Sequence, residues 1–170
     1  MLADPNFDRT IVLMIEDSEE GSAGLVLNRP SELAVTEALP DFGERVAAPA
    51  VVFVGGPVSQ NTAIGLARSA DTEGAEGWQQ VMGDVGTFNM AAAEVGPPEG
   101  ITDLRVFAGY AGWGPGQLEG EISAGAWLVV DADVGDVLSS DPLDLWRSVL
   151  KRQRGTASWL ANYPADLNAN

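Results

Sequence analysis

Glycine is concentrated in one segment of this 170-residue chain, directly after an apolar run. Four of the eight residues from Gly109 to Gly116 (GYAGWGPG) are glycine, and the preceding run Leu104–Phe107 is typical of a strand. Glycine loses more conformational freedom on folding than any other residue, so this density predicts backbone conformations that other residues cannot adopt. The segment is therefore predicted to be neither helix nor strand. A helix is expected to begin at Pro115, where a missing N–H costs nothing, and to end at Gly125.

Apolar and β-branched runs predict further strands on both sides of this segment. The predicted strands are Thr10–Ile15, Gly24–Leu27, Ala50–Val54 and Ala126–Val130, with weaker candidates at Thr62–Leu66 and Trp78–Met82. A short helix is expected at Ser31–Leu39, an exposed acidic loop at Asp71–Gly77 and a helical turn at Phe88–Glu94. Because strands outnumber helices and several adjoin through short turns, the chain is predicted to form an α/β or mixed α+β domain with a substantial sheet.

The last helix has the clearest pattern in the sequence. Asp141 is expected to cap it and Pro142 to occupy its first position. Its predicted apolar stripe consists of Leu143, Trp146, Val149 and Leu150, and Gly155 can end it. The first half of the tail from Thr156 to Asn170 is expected to pack through Trp159, Leu160 and Tyr163.

Composition excludes several classes of chemistry. The chain has no cysteine and no histidine, which excludes thiol nucleophiles, disulfides, Ser-His-Asp catalysis and the usual zinc, copper or iron sites. No acidic spacing typical of a calcium loop is present, so neither a metal nor a cofactor is expected. No apolar run reaches the roughly 20 residues that span a bilayer, and the N-terminus lacks signal-peptide features. The expected location is cytoplasmic.

The net charge of −16, with a pI near 4.1, argues against contact with nucleic acid or anionic membranes. The basic residues near the C-terminus form a cluster of opposite sign: Arg147, Lys151, Arg152 and Arg154. Cations at the end of a helix also complement its dipole, and this explanation is favoured over a DNA-binding patch.

Four strings in this order resemble the AlgH/YqgE-like family over essentially the whole chain, residues 1–170. The strings are Asp4–Phe7 (DPNF), Gly24–Pro30 (GLVLNRP), Gly55–Val58 (GGPV) and Gly109–Glu119 (GYAGWGPGQLE), with Leu145-Trp146 as a further match. The resemblance implies a single α/β domain whose mixed, bifurcated sheet curls into a pseudo-barrel flanked by helices. One bacterial member is named for a role in regulating alginate synthesis, so the resemblance also implies a transcriptional-regulator label. It implies no particular chemical reaction.

Two features depart from the family pattern. Members usually carry another strand before the DPNF string, whereas only Met1–Ala3 precede it here. Either this sequence starts late, or this strand is missing, which would leave one sheet edge unpaired. Many members have a histidine where this chain has Asp17, so a role that requires that imidazole is not expected here.

The predicted site lies where three motifs each follow a predicted strand. Ligand crevices in α/β sheets tend to lie at the carboxyl ends of strands, and glycine-rich turns offer backbone N–H groups to an anion. Arg29 supplies a cation, and Tyr110 and Trp113 an aromatic face. The candidate ligand-binding residues are Asn28, Arg29, Gly55, Gly56, Tyr110, Trp113, Gly114, Gln117 and Glu119. The alternative is that these glycines serve only tight turns and close packing.

Three functions remain open at this point. The favoured hypothesis is a non-enzymatic regulatory or binding module that engages a protein partner or a small anionic ligand near Arg29 and the glycine-rich segments. The alternative is an enzyme that uses Glu119 or Glu121 with Arg29 on a small substrate, although residues two apart on a helix point about 200° apart. Direct DNA binding is the third and requires a continuous basic surface. The sequence does not specify an oligomeric state.

Overall fold

A computed structural model describes residues 7–69, 77–90 and 100–161. In that part of the chain, eight strands form one branched sheet: β1 (Val12–Ser18), β2 (Gly21–Val26), β3 (Pro30–Ala34), β4 (Val51–Val54), β5 (Val58–Ser69), β6 (Trp78–Met82), β7 (Val85–Asn89) and β8 (Ile101–Trp113). The α-helices are short: α1 (Val35–Ala38), α2 (Gln117–Ser123), α3 (Val134–Val137), α4 (Leu145–Arg152) and α5 (Thr156–Leu160). A 3₁₀ helix spans Pro40–Arg45.

The long strand β8 organises the sheet. One of its edges pairs antiparallel with β5. The other edge is shared, because β4 pairs parallel with Val106–Ala108 and β2 pairs antiparallel with Ala111–Trp113. The main order is β1-β2-β8-β5-β7-β6, with β3 attached through β4. The sheet curls into a nearly closed barrel, so the mixed, bifurcated pseudo-barrel implied by the family resemblance is confirmed.

Glycine occupies the point at which the sheet branches. The Gly55 N–H donates to the Ala108 carbonyl, and the Gly55 carbonyl accepts from Val26 N–H, so Gly55 lies between β8 and β2. A Cβ on Gly55 would lie 2.2 Å from the Gly109 carbonyl oxygen, and one on Gly56 would lie 2.1 Å from the Tyr110 carbonyl carbon. We call Gly55, Gly56 and Gly109 the branch point. Three backbone segments meet there without room for side chains.

The prediction that Gly109–Gly116 is neither helix nor strand is therefore partly wrong, because β8 continues through this segment to Trp113. Glycine weakens an isolated strand, but here it allows close backbone approach from both edges. The following helix begins at Gln117 and not at Pro115, with Gly116 in the left-handed conformation at φ 71°.

Residues from opposite faces of the sheet form two apolar clusters. Phe53, Leu66 and Phe107 belong to the first cluster, which α4 covers with Leu145 and Val149. The second cluster lies on the other side and contains Val35, Phe42, Val52, Ala67, Phe88, Leu104 and Val106. Adjacent residues of β8 such as Val106 and Phe107 thus face different clusters, as strand alternation requires.

Several predicted elements differ from the structure. The predicted helix Ser31–Leu39 is wrong in its first half, since β3 occupies Pro30–Ala34 and only Val35–Ala38 is helical. Proline is tolerated at the first position of a strand, where Pro30 lies opposite Phe53. Phe88 lies in β7 and not in a helical turn. The segment Ala126–Val130 belongs to no strand in the described part of the chain, and Val129 is 72% exposed.

The remaining predicted strands coincide or overlap with strands of the structure. The predicted strand Trp78–Met82 is confirmed, and Ala50–Val54 is confirmed apart from its first residue. The predicted strands Thr10–Ile15 and Gly24–Leu27 overlap β1 and β2, and Thr62–Leu66 is part of the longer β5. Apart from Gly77, the predicted loop Asp71–Gly77 lies outside the described residues, as do residues 91–94 of the predicted helical turn.

The helix predicted to begin at Pro142 begins three residues later, and it is not the last, because α5 follows it. The helix α4 starts at Leu145, and Asp141 Oδ1 accepts from Asp144 N–H in the preceding turn. Leu143 precedes the helix and is 78% exposed, so the prediction that it belongs to the apolar stripe is wrong. Leu145, Val149 and Leu150 form the buried stripe instead. Trp159 of the tail is also exposed, contrary to prediction, and Tyr163 lies outside the described residues.

Arg105 is a buried cation in the middle of β8. Its guanidinium donates to the carbonyls of Ala48 at 2.9 Å, Ser139 at 2.8 Å and Val137 at 3.4 Å, and lies 4.4 Å from the centre of the Phe53 ring. These carbonyls belong to the segment before β4 and to the end of α3. Arg105 therefore ties two distant segments to the central strand.

Candidate functional site

The structure does not bring the predicted site residues into one cavity. Asn28 is a buried structural side chain, because its Oδ1 accepts from Ile11 N–H at 2.9 Å and its Nδ2 donates to the Arg9 carbonyl at 2.8 Å. Arg29 is exposed, and its guanidinium donates to the Asp8 carbonyl at 2.7 Å. Both side chains fasten the segment before β1 to the end of β2. A ligand role for Asn28 and Arg29 stays a prediction.

Gly55 and Gly56 lie at the branch point, where the backbone of β8 fills the space next to them. The backbone N–H of Gly55 already donates to Ala108. Close packing, the alternative explanation for these glycines, therefore accounts for both positions.

Glu121 is the centre of a hydrogen-bond network after β8. Its Oε2 accepts from the indole N–H groups of Trp113 at 3.0 Å and Trp127 at 2.7 Å, and its Oε1 accepts from Gln117 Nε2 at 2.9 Å. Gln117 Oε1 in turn accepts from Gly114 N–H at 3.0 Å, so this N–H is not offered to an anion. The donated hydrogen bonds, led by that of Trp127, lower the pKa of Glu121 despite an opposing effect of desolvation.

An aromatic cluster lies beside this network. The rings of Trp113 and Trp127 meet edge to face at 5.7 Å, and Phe7 packs against both at 6.2 and 5.2 Å respectively. Glu121 and this cluster fix the segment after β8 against the core. Sequence reasoning placed Glu121 only among catalytic candidates and did not identify this structural role.

We expect Glu121→Gln to lower the free energy of unfolding by about 1–2 kcal/mol at neutral pH, because one amide oxygen cannot accept all three hydrogen bonds. The pKa of Glu121 is lower in the folded state, so its contribution is present above the ordinary value and is lost as pH falls through the folded pKa. The difference between wild type and variant should therefore shrink in acid. Urea unfolding followed by tryptophan fluorescence at a series of pH values measures it.

Glu119→Gln is the matched control for this experiment. Glu119 is exposed, so the same loss of charge on the same helix should change stability by no more than about 0.5 kcal/mol. Equal losses in both variants would mean that the network around Glu121 contributes nothing specific.

A groove of about 550 Å³ runs across β1, β2, β5 and β8. Its apolar walls come from Ile15, Val58, Ile64, Tyr110 and Trp113. Glu16 and Glu20 line it from the β1–β2 hairpin, and no arginine or lysine is among its lining residues. Of the predicted site residues, Tyr110 and Trp113 line this groove, whereas Arg29, the branch-point glycines and Glu119 do not.

Gly112 keeps the ring of Tyr110 accessible inside the groove. A Cβ on Gly112 would lie 3.3 Å from Tyr110 Cε2 and 3.5 Å from Val58 Cγ2. Gly112 is exposed and lies opposite Ala23 in the sheet. Within the part of the chain that the structure describes, the Tyr110 hydroxyl has no hydrogen-bond partner. The groove thus presents an aromatic ring whose hydroxyl group can form a hydrogen bond with a ligand.

Ser22 and Asp17 form the closest side-chain pair at the groove. Ser22 Oγ donates to Asp17 Oδ1 at 2.5 Å, and the two residues lie directly opposite each other on β2 and β1. This is the geometry of an ordinary cross-strand pair. The hydrogen bond holds the hairpin that carries Glu16 and Glu20.

A second, smaller cavity of about 260 Å³ lies beside α4. Arg9 stacks on the Trp146 ring at 5.0 Å, and both residues line this cavity with Asn28 and Arg147. Asp144 also lines it, 3.9 Å from the Arg147 guanidinium, and offsets part of the positive charge.

Among the described residues, no three carboxylates are arranged to hold a metal ion. None of the helices in the described ranges has the length and apolar character needed to cross a bilayer.

The model of the AlgH-like family matches residues 1–158. The chain belongs to the AlgH-like family. A UPF0301 protein of Streptomyces avermitilis is 48% identical over 177 aligned residues, which cover 99% of this chain and 90% of that protein. A UPF0301 protein of Thermobifida fusca is 45% identical and covers 100% of this chain and 90% of its own length.

Solved structures support the same assignment of this AlgH-like protein. A crystal structure of a protein from Corynebacterium diphtheriae matches with a TM-score of 0.83 at 29% identity, over 95% of this chain and 86% of that chain. The solution structure of the AlgH protein from Pseudomonas aeruginosa matches with a TM-score of 0.67 at 30% identity, over 97% of this chain and 89% of that chain. The names of these relatives specify no reaction.

Proposed function

We propose that this AlgH-like protein is a non-enzymatic regulatory or binding module that docks a protein partner in the groove across β1, β2, β5 and β8. The observation that carries the proposal is the groove itself, a concave surface of about 550 Å³ whose apolar walls surround an accessible tyrosine. Binding sites typically combine such walls with a few polar groups that fix orientation. Glu16, Glu20 and Gly112 in the groove are exposed, which leaves it accessible to an extended segment of another protein.

The position of the acidic side chains argues against the enzyme alternative. Glu119 is exposed, and Glu121 accepts three structural hydrogen bonds. Neither carboxylate lines the groove or the cavity beside α4, and Arg29 lines neither of them. A general acid or base must lie within hydrogen-bond reach of the substrate proton, and no such arrangement connects these residues.

The position of the basic side chains argues against direct DNA contact. Arg152 forms a bidentate ion pair with Asp136, and the Arg147 guanidinium lies 3.9 Å from Asp144. Half of the basic cluster near the C-terminus is therefore paired with carboxylates. A net charge of −16 adds repulsion between the rest of the surface and phosphate.

Selection of random linear peptides on the wild-type protein tests the docking proposal, with Gly112→Leu as the blocked variant. A leucine at position 112 would fill the space beside Tyr110 and Val58, so selected peptides should bind this variant at least about tenfold more weakly. Fluorescence polarisation with the labelled peptides measures the loss, and circular dichroism checks the fold.

Gly120→Leu is the control, because it makes the same change on α2, where nothing lies within 4 Å of the added Cβ. Peptides that bind Gly112→Leu as tightly as the wild type would show that the groove is not the docking surface. A library that yields no binder would also count against the proposal.

A further inference from the structure

We infer that the partner segment carries an arginine or lysine side chain, which the groove receives between its two glutamates and the Tyr110 ring. This inference rests on the proposed docking function and adds the chemical class of the occupant.

The charge of the groove selects a cation. Glu16 and Glu20 line it, and no basic residue does. In the described part of the chain, neither carboxylate forms an ion pair. Asp17 lies next to Glu16 on the same hairpin, where its carboxylate accepts from Ser22. An anionic ligand placed here would meet like charges at short range, whereas a guanidinium or ammonium would meet two carboxylates that are already in place.

The walls fit the rest of a basic side chain. Lysine and arginine bury their methylene stems on apolar surfaces while the charged head stays among polar groups. Ile15, Val58 and Ile64 provide such a surface in the groove that Glu16 and Glu20 also line. The Tyr110 ring, accessible because residue 112 has no side chain, provides a face for a cation–π contact within the usual 6 Å of a ring centre.

The field of the whole protein favours the same occupant. A net charge of −16 attracts basic segments and raises their rate of encounter. It opposes a second copy of this chain, whose hairpin would bring the same carboxylates to the contact. A basic segment of a different protein is therefore the occupant that the charges support.

Isosteric removal of charge from the selected peptides tests the inference. Each arginine of a selected peptide is replaced with citrulline, and each lysine with its acetylated form, one at a time. We expect enrichment of basic residues in the selection, and at least one replacement that weakens binding about tenfold or more. Binding to the wild type should also weaken as salt is raised.

Two double variants of the protein test whether this charge-dependent binding takes place in the groove. The double variant Glu16→Gln/Glu20→Gln should lose binding by a similar factor. Glu32→Gln/Glu37→Gln removes the same charge at exposed positions that do not line the groove, and should retain binding.

The outcomes separate the inference from the proposed function. If neutral peptides bind the wild type but not Gly112→Leu, the inference of a basic side chain is overturned and the docking groove is retained. Peptides that bind both Gly112→Leu and the double glutamine variant unchanged would overturn both. Spermidine serves as a free cationic probe, and if it binds the groove more tightly than every selected peptide, a small cation replaces the protein segment as occupant.

Discussion

Gly55→Ala is expected to destabilise the fold by about 4 kcal/mol or more, a large share of the 5–15 kcal/mol that holds a typical domain together. The added Cβ would lie 2.2 Å from the Gly109 carbonyl oxygen and 3.1 Å from Phe107 Cβ. Relief of these contacts requires movement of β8, which is bonded to β5 along its other edge. Movement of Gly55 itself would break its hydrogen bonds to Ala108 or Val26.

Urea unfolding of purified protein measures this loss, and the yield of folded protein is a second readout when the variant does not accumulate. Gly120→Ala is the matched control. Nothing lies within 4 Å of its added Cβ, and alanine replaces glycine inside a helix, so this variant should gain about 0.5–1 kcal/mol. A Gly55→Ala protein as stable as the wild type would show that the branch point tolerates side chains.

The sequence predicted the family and several of the strands, but not the path of the backbone at the branch point. Trp78–Met82 and Val51–Val54 were predictable because β-branched or aromatic runs bounded by glycine and proline signal strands locally. The strand character of Gly109–Trp113 was not, because it depends on β2 and β5, which pair with this segment from opposite edges of β8. Local propensity also predicted a strand at Ala126–Val130, yet the described structure offers it no partner strand.

The candidate site was only partly predictable for a similar reason. Tyr110 and Trp113 stood out as aromatics in a glycine-rich motif, and both line the groove. Glu16 and Glu20 belong to the acidic segment Glu16–Gly21, whose composition is typical of a solvated hairpin turn, and the sequence does not show that this hairpin lines a concave surface. Arg29 seemed to be an available cation, but its guanidinium binds the Asp8 carbonyl. Side-chain partners distant in sequence decided each of these roles.

Arg105→Met is expected to lower the free energy of unfolding by about 3 kcal/mol, because hydrogen bonds to a buried charged group contribute about 1.5–3 kcal/mol each and the carbonyls would lose their donor. Arg105 is 1% exposed, and methionine replaces its stem but none of its N–H groups. The carbonyls of Ala48, Val137 and Ser139 would be left without this partner. The free energy of unfolding of Arg105→Lys should lie between those of the wild type and Arg105→Met, since a single ammonium cannot reproduce the planar set of guanidinium donors.

The pH dependence of the stability difference between the wild type and Arg105→Met distinguishes the loss of hydrogen bonds from the loss of the charge. Burial lowers the pKa of Arg105 to about 10, so the folded state holds its proton less firmly than the unfolded chain. Below pH 10 both states are protonated and the cost of burying the charge is constant. As pH rises above about 10, the unfolded chain binds more protons than the folded state, and the wild type should gain stability relative to Arg105→Met. Urea midpoints of both proteins on either side of pH 10 measure this gain, and a constant difference would mean that Arg105 keeps an ordinary pKa in the fold.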